Sequence, residues 1–134
     1  MAKKSITPAS VFNSLQYGFS QAVETTGTRQ LFLSGQVGVN AAEETVAGGI
    51  YEQTVQSLIN IEHVLHEAGG DLSHVAMLRI YIKEGFNSHK EQADIARALK
   101  EKFPNMPPAS SWVIVSGLSL PEWLIEIEAH AVLN

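Results

Sequence analysis

The chain contains no cysteine. That removes a thiolate nucleophile, a disulfide framework and any Cys-ligated metal site. Charge is scarce: 17% of the 134 residues are Asp, Glu, Lys or Arg, against about 25% in ordinary soluble proteins. A small domain has much surface to solvate, so either the surface is polar without charge or part of it is covered in an oligomer. Cations are scarcest, with nine Lys and Arg against fourteen Asp and Glu and a formal charge of -5. Phosphate tracking needs clustered cations and an anionic membrane surface needs a basic run, so nucleic acid and membrane partners are not expected. No apolar run approaches the roughly 18 residues of a membrane helix. Met1-Ala2-Lys3-Lys4-Ser5-Ile6-Thr7-Pro8 has two lysines but no apolar stretch behind them, as a signal peptide would. A cytosolic protein is expected. There is no internal repeat, no Gly-rich strand-to-helix phosphate loop and no Ser/His/Asp set at a telling spacing.

What remains fits one domain over residues 1–134, long enough to bury a core without staples. The most ordered pattern is Leu124-Ile125-Glu126-Ile127-Glu128-Ala129-His130-Ala131-Val132. Its period of two predicts a strand with Ile125, Ile127, Ala129, Ala131 and Leu133 buried on one face. The other face carries Glu126, Glu128 and His130 in a row, roughly 7 Å apart, which could line a cleft. Pro107 to Val115 reads as its partner strand across a Gly/Ser/Pro connection.

Residues 1 to about 14 read as an extended lead-in. Leu15–Val23 and Gln30–Val37 read as a hairpin around Thr25-Thr26-Gly27-Thr28, with Gly35 marking a bulge or a close backbone approach. Asn40 to Gly49 is loop. Ile50–Ala68 has one apolar stripe at helical spacing and stops at Gly69-Gly70. Val75–Ile82 is almost wholly apolar, which predicts a strand buried on both faces, with Arg79 its one charge. Ser88 and Glu91 form a capping box for a second helix that ends before Pro104.

The order is ββαβαββ, an α+β fold with a mixed sheet and two helices on one face. No third helix covers the other face, so that face is expected to pack against copies of itself.

Few residues stand out chemically. His63 and His66, beside Glu62 and Glu67 on a helix, are either a metal site or a solvated face. A carboxylate in an oligomer cleft can act as a general base or position water, which makes Glu126 and Glu128 candidates. Glu128 has a competing structural role as the buried partner of Arg79.

Five segments together resemble one family. They are Phe19-Ser20-Gln21-Ala22-Val23, Leu33-Ser34-Gly35-Gln36-Val37, the Gln53–Gly69 helix, Pro108-Ala109-Ser110-Ser111 and Ile125-Glu126-Ile127-Glu128-Ala129. In order and spacing they are similar to the RidA/YjgF family of reactive-intermediate (imine and enamine) deaminases over almost the whole length. The resemblance implies a chorismate-mutase-like ββαβαββ fold and a homotrimer with small-ligand clefts between subunits. It implies an arginine that binds the carboxylate of a 2-imino acid and a glutamate that activates water. The products are a 2-keto acid and ammonia, and no cofactor is used.

Carried over by position, Glu126 is the water-activating glutamate, and Ser34 and Gly35 belong to the pocket strand. Ser110 stands where the signature has arginine, Phe19 where it has tyrosine, and Trp112 follows Ser111 where a small residue is usual. Serine cannot replace a permanently charged, bidentate carboxylate anchor, so the usual imino acid deaminase activity is not expected. Trp112 points to a more apolar cleft that prefers a flatter or uncharged ligand. Its alternative role is interface packing, and Arg79 is the alternative anchor. Two functional expectations follow: an imine or enamine hydrolase with an altered substrate, or a non-catalytic small-ligand binder or trimeric scaffold. An interaction module using the outer helices is a third.

Overall fold

The computed structural model describes residues 3–134; Met1 and Ala2 of the predicted lead-in lie outside the described residues. The elements are β1 (Lys3–Ile6), β2 (Ala22–Thr25), β3 (Arg29–Val37), α1 (Ile50–Glu67), β4 (Val75–Lys83), α2 (His89–Lys102), β5 (Ala109–Val115) and β6 (Ile125–Leu133). Short 3-10 turns sit at Ser14–Tyr17 and Leu72–His74. The main sheet has the order β3-β6-β4-β5, and β1 and β2 form a separate ribbon. β4 and β5 are parallel around the α2 crossover, while β6 runs antiparallel to both of its neighbours. The result is the predicted α+β fold, with a mixed sheet and two helices.

Two predicted pairings do not form. Residues 15–23 are not a strand paired with β3. The Asn13 side chain accepts from the Leu15 N–H at 3.1 Å, and Gly18 closes the turn at φ 91°. These local bonds outweigh the alternating pattern, and only Ala22 onward is extended, pairing with β1 instead. β5 and β6 are not a hairpin either. The crossover through α2 brings β5 beside β4. The long 116–124 connection then carries β6 to the opposite edge of β4, into the slot beside β3.

The helices start and stop where their caps dictate. Ser88 Oγ accepts from the Glu91 N–H at 3.2 Å. Gly69, at φ 86°, lets the Gly70 N–H reach back to the Leu65 carbonyl at 2.8 Å. Both helices cover one face of the sheet. Leu58, Ile61 and Leu65 from α1 and Ile95 and Leu99 from α2 are buried against Leu78, Ile80, Ile127, Ala129 and Ala131. The predicted apolar face of β6 is this core.

β4 is buried on one face only, which corrects the two-faced expectation. Leu78, Ile80 and Ile82 point to the helices. Met77, Arg79 and Tyr81 point to an open face that also carries exposed Phe32, Ser111 and Val113.

Candidate functional site

The row Glu126, Glu128, His130 lies on this open face, each half-buried. Their surroundings differ. The Tyr81 hydroxyl donates to Glu128 Oε1 at 2.5 Å, and the bond to that carboxylate holds the Tyr81 proton above the usual phenol range. His130 stacks on Phe32, with ring centroids 4.5 Å apart, and its Nε2 lies 3.0 Å from Gln30 Oε1. Arg79 sits opposite Glu128 in the β4–β6 register but is exposed and makes no ion pair among the described residues. The expected buried Arg79–Glu128 pair is therefore not present. Tyr81 reaches the carboxylate diagonally, and the guanidinium stays hydrated, which avoids its desolvation penalty.

Glu126 has no hydrogen bond or ion pair among the described residues. Its carboxylate lies directly on the backbone of Gly35. A Cβ at position 35 would come within 2.7 Å of Glu126 Cγ and Cδ and 2.8 Å of Oε2. The β3–β6 register also slips between Leu33 and Gln36. Gly35 is thus both the bulge and the close approach that its place in an apolar run implied. Ser34, exposed, precedes it in the bulge.

Two polar residues of α1 hold this arrangement. Gln53 is buried, donates from Nε2 to the Glu122 carbonyl at 2.9 Å and accepts from the Leu124 N–H at 2.9 Å, so it fixes the entry of β6. Asn60 Nδ2 donates to the carbonyls of Val37 (3.1 Å) and Val39 (2.9 Å) and fixes the exit of β3. Residues seven apart share a helix face, so α1 grips both strands beside the Glu126–Gly35 contact. Their individual roles were missed in the sequence, where the signal was available: amides on the buried side of an otherwise apolar stripe.

An open cavity of about 1090 Å³ adjoins this end of the sheet, with Gly35, Asn60, His63 and Trp123 in its wall. Of the other residues singled out on this helix, Glu62 turns to α2, with its Oε1 3.7 Å from Lys102 Nζ, and His63, His66 and Glu67 are exposed. These four residues do not converge, and among the described residues no three His, Asp or Glu side chains form a metal-binding group.

The remaining predicted residues gather elsewhere. Ser110 and Trp112 pair in register with Leu78 and Ile80, so they face the helices, while Ser111 faces the open side opposite Arg79. Trp112 Nε1 donates to Ser110 Oγ at 3.0 Å, and the Phe19 ring lies 6.1 Å from that of Trp112. Phe19 is placed by Ser20, whose N–H donates to the Pro108 carbonyl at 3.0 Å and whose hydroxyl donates to the Pro107 carbonyl at 2.5 Å. Phe12, Tyr17, Phe19 and Trp112 wall a cavity of about 490 Å³ closed by the first turns of α2. Phe12 and Tyr17 were not predicted, because residues 1–23 read as a lead-in and a strand. Within one chain the predicted site is therefore two separate groups: Glu126 and Ser111 on the open face with Ser34 and Gly35 at the β3 bulge, and Phe19, Ser110 and Trp112 on the helix side.

Comparison with known proteins follows the same lines. The family model for endoribonuclease L-PSP matches residues 13–133. A 2-iminobutanoate/2-iminopropanoate deaminase of Dermatophagoides farinae is 34% identical over 117 residues, which is 87% of this chain and 86% of that protein. The mitochondrial protein mmf1 of Schizosaccharomyces pombe is 28% identical over 114 residues, 85% of this chain and 66% of its own length. Among solved structures, the Rid-family protein of unknown function YyfB of Yersinia pestis is 38% identical, with a TM-score of 0.92 over 99% of this chain and 100% of that one.

Proposed function

The chain belongs to the endoribonuclease L-PSP family, which bears out the RidA/YjgF resemblance of its motifs, and on that premise we propose that it hydrolyses a small imine or enamine with Glu126 positioning the water. The observation that carries this is the contrast between two neighbouring carboxylates. Glu128 is occupied by the Tyr81 hydroxyl. Glu126 has no hydrogen bond or ion pair among the described residues and is seated on the Gly35 backbone at a bulge. In the reaction, water oxygen attacks the C=N carbon while Glu126 takes one of its protons. The C=N π bond opens onto nitrogen, which takes up that proton; the adduct's remaining O–H proton then passes through Glu126 to nitrogen as the C–N bond breaks and the C=O bond forms, giving a carbonyl compound and ammonia or an amine. A half-buried carboxylate within reach of that water is the geometry a general base needs.

The substrate differs from a 2-imino acid in lacking a carboxylate that must be anchored. Ser110 has no charge, and its oxygen already accepts from Trp112. The active unit is a homotrimer, in which the open sheet face of one copy meets the β5 edge of the next, and the protein works in the cytosol. Among the described residues no helix is long and apolar enough to cross a membrane.

The test uses imines made in situ, 2-imino acids by an amino acid oxidase and imines without a carboxylate by an amine oxidase. Wild type should release ammonia above buffer, and Glu126→Ala, folded by circular dichroism, should lose about 10²–10⁴-fold. No release above buffer, or an undiminished Glu126→Ala, refutes the hydrolase. The alternative is then a non-catalytic small-ligand binder, favoured by the engaged hydroxyl of Ser110.

A further inference from the structure

We propose that the cavity between the Ser14–Tyr17 turn, α2 and β5 binds a neutral, planar aromatic molecule, and that this molecule carries the reacting group. The second clause rests on the hydrolase reading; the first does not. Four aromatic residues wall the cavity, and its volume of about 490 Å³ lies in the range of small-ligand sites. The ring pairs are tilted or edge-on: Phe12–Tyr17 at 56°, Phe12–Phe19 at 73° and Phe19–Trp112 at 52°. No two rings of this group are stacked face to face, so ring faces remain for a planar guest to stack on. Phe12 is 60% and Tyr17 48% exposed, an unfavourable state for large apolar side chains that a guest would relieve.

Charge decides the class. No Asp, Glu, Lys or Arg lines the cavity; the imidazole of His89, in the first turn of α2, is the nearest thing to a cation in its wall. A carboxylate entering would lose hydration with no permanently charged guanidinium or ammonium to meet it. Neutral hydrogen-bonding capacity is present. Ser110 accepts from Trp112 Nε1, so its own proton remains to donate. Gln92 donates its amide N–H to the Asn87 carbonyl at 2.8 Å, so its side-chain oxygen remains to accept. One neutral donor and one neutral acceptor beside aromatic walls suit an aromatic amide, imine or alcohol. The walls are also preset. Ser20 ties Phe19 to the start of β5, and Gly18 packs so tightly on α2 that a Cβ there would sit 3.0 Å from Leu99 Cβ. Little ordering is left to oppose binding.

The experiment titrates three probes against the full chain by saturation-transfer NMR: benzamide, benzoate and cyclohexanecarboxamide. Benzamide should bind at least about tenfold more tightly than benzoate, its charged isostere, and more tightly than the non-planar amide. Phe12→Ala changes an exposed residue and cannot unfold the core; it and Trp112→Leu should each weaken benzamide at least about fivefold. Ser110→Arg should reverse the order in favour of benzoate. Equal or tighter binding of benzoate to wild type, no saturable benzamide binding, or unchanged affinity in both wall variants overturns the proposal. Benzamide binding without imine hydrolysis leaves the cavity standing and removes the hydrolase. Hydrolysis that prefers a carboxylated imine over its amide does the reverse.

Discussion

Gly35→Ala separates the site from the fold. In the structure the new methyl would lie 2.7 Å from Glu126 Cγ and Cδ, whereas ordinary contact begins at 3.4 Å, so the carboxylate must retreat by about 0.7 Å. Gly35 is not among the positive-φ residues, so the backbone itself accepts alanine. The atoms that must yield belong to the end of a flexible, half-buried side chain rather than to backbone. Stability should therefore change by less than about 1 kcal/mol, within the range of small local strain. Position matters far more to the proposed chemistry. A displacement near 1 Å at a reacting group can reduce rate about 10²-fold, and about 10–100-fold is expected here, equivalent to roughly 1.4–2.7 kcal/mol of barrier.

The assay pairs a thermal melt with imine hydrolysis on the same samples. A third sample supplies the control for mechanism: in a Glu126→Ala background, Gly35→Ala should cause no further loss, because the two residues act through one contact. Full activity in Gly35→Ala would refute the placement of the reacting water at Glu126. So would additive losses in the double variant.

Two further perturbations test the frame around the site. Gln53→Leu keeps the volume but strips the Glu122 carbonyl and the Leu124 N–H of their partners in a buried setting. It should destabilise by about 2–4 kcal/mol in urea unfolding, and a change under about 0.5 kcal/mol would show that Gln53 does not pin β6. Asp71→Ala removes the cap of the turn before β4, where Asp71 Oδ1 accepts from the Ser73 hydroxyl at 2.5 Å and the Ser73 N–H at 2.9 Å. Those donors hold the Asp71 carboxyl below the usual range. Its folded pKa is thus lower than its unfolded one, so its contribution is complete above the ordinary value of about 3.9 and fades as pH falls through the lowered value. The wild-type advantage, about 1 kcal/mol or less at neutral pH for so exposed a cap, should shrink below pH about 4. A pH-independent difference between the two melts would contradict this.

Local chemistry made much of this fold legible. The Ser88–Glu91 box, the Gly69-Gly70 stop and the alternation of β6 each depend on residues close in sequence, and each was met. Strand partnership was less legible, because it depends on competition between distant segments. Residues 15–23 alternate acceptably for a strand, yet Asn13 and Gly18 supply a tighter local solution. β5 and β6 follow each other in sequence, yet β6 gains more as an interior strand, bonded on both edges, than as the outer half of a hairpin. The aromatic wall was hidden for the same reason. Phe12 belongs to no periodic element and Tyr17 to a run that reads as a strand, and only the fold of the N-terminal segment brings them to Trp112.

The candidate site shows how far alternation carries and where it stops. Glu126 and Glu128 are equivalent by period, and nothing in their own strand distinguishes them. The distinction comes from β4 and β3. Tyr81 takes the carboxylate of Glu128, and the glycine bulge receives that of Glu126. Register then constrains the rest. Tyr81 pairs with Glu126 across β4–β6 and with Val113 across β4–β5, so odd-numbered positions of β5 share the Glu126 face. Position 110 is even and points to the helices, whatever residue occupies it. An arginine there would also have faced away from Glu126 within one chain. Anchor and base therefore occupy different sides of the same sheet, and the proposed reaction depends on a second copy bringing its own β5 edge to the open face. On that proposal, with Ser110 in place of the arginine, what the edge would deliver is an aromatic wall without a guanidinium, and the selection of substrate would move from ion pairing to stacking.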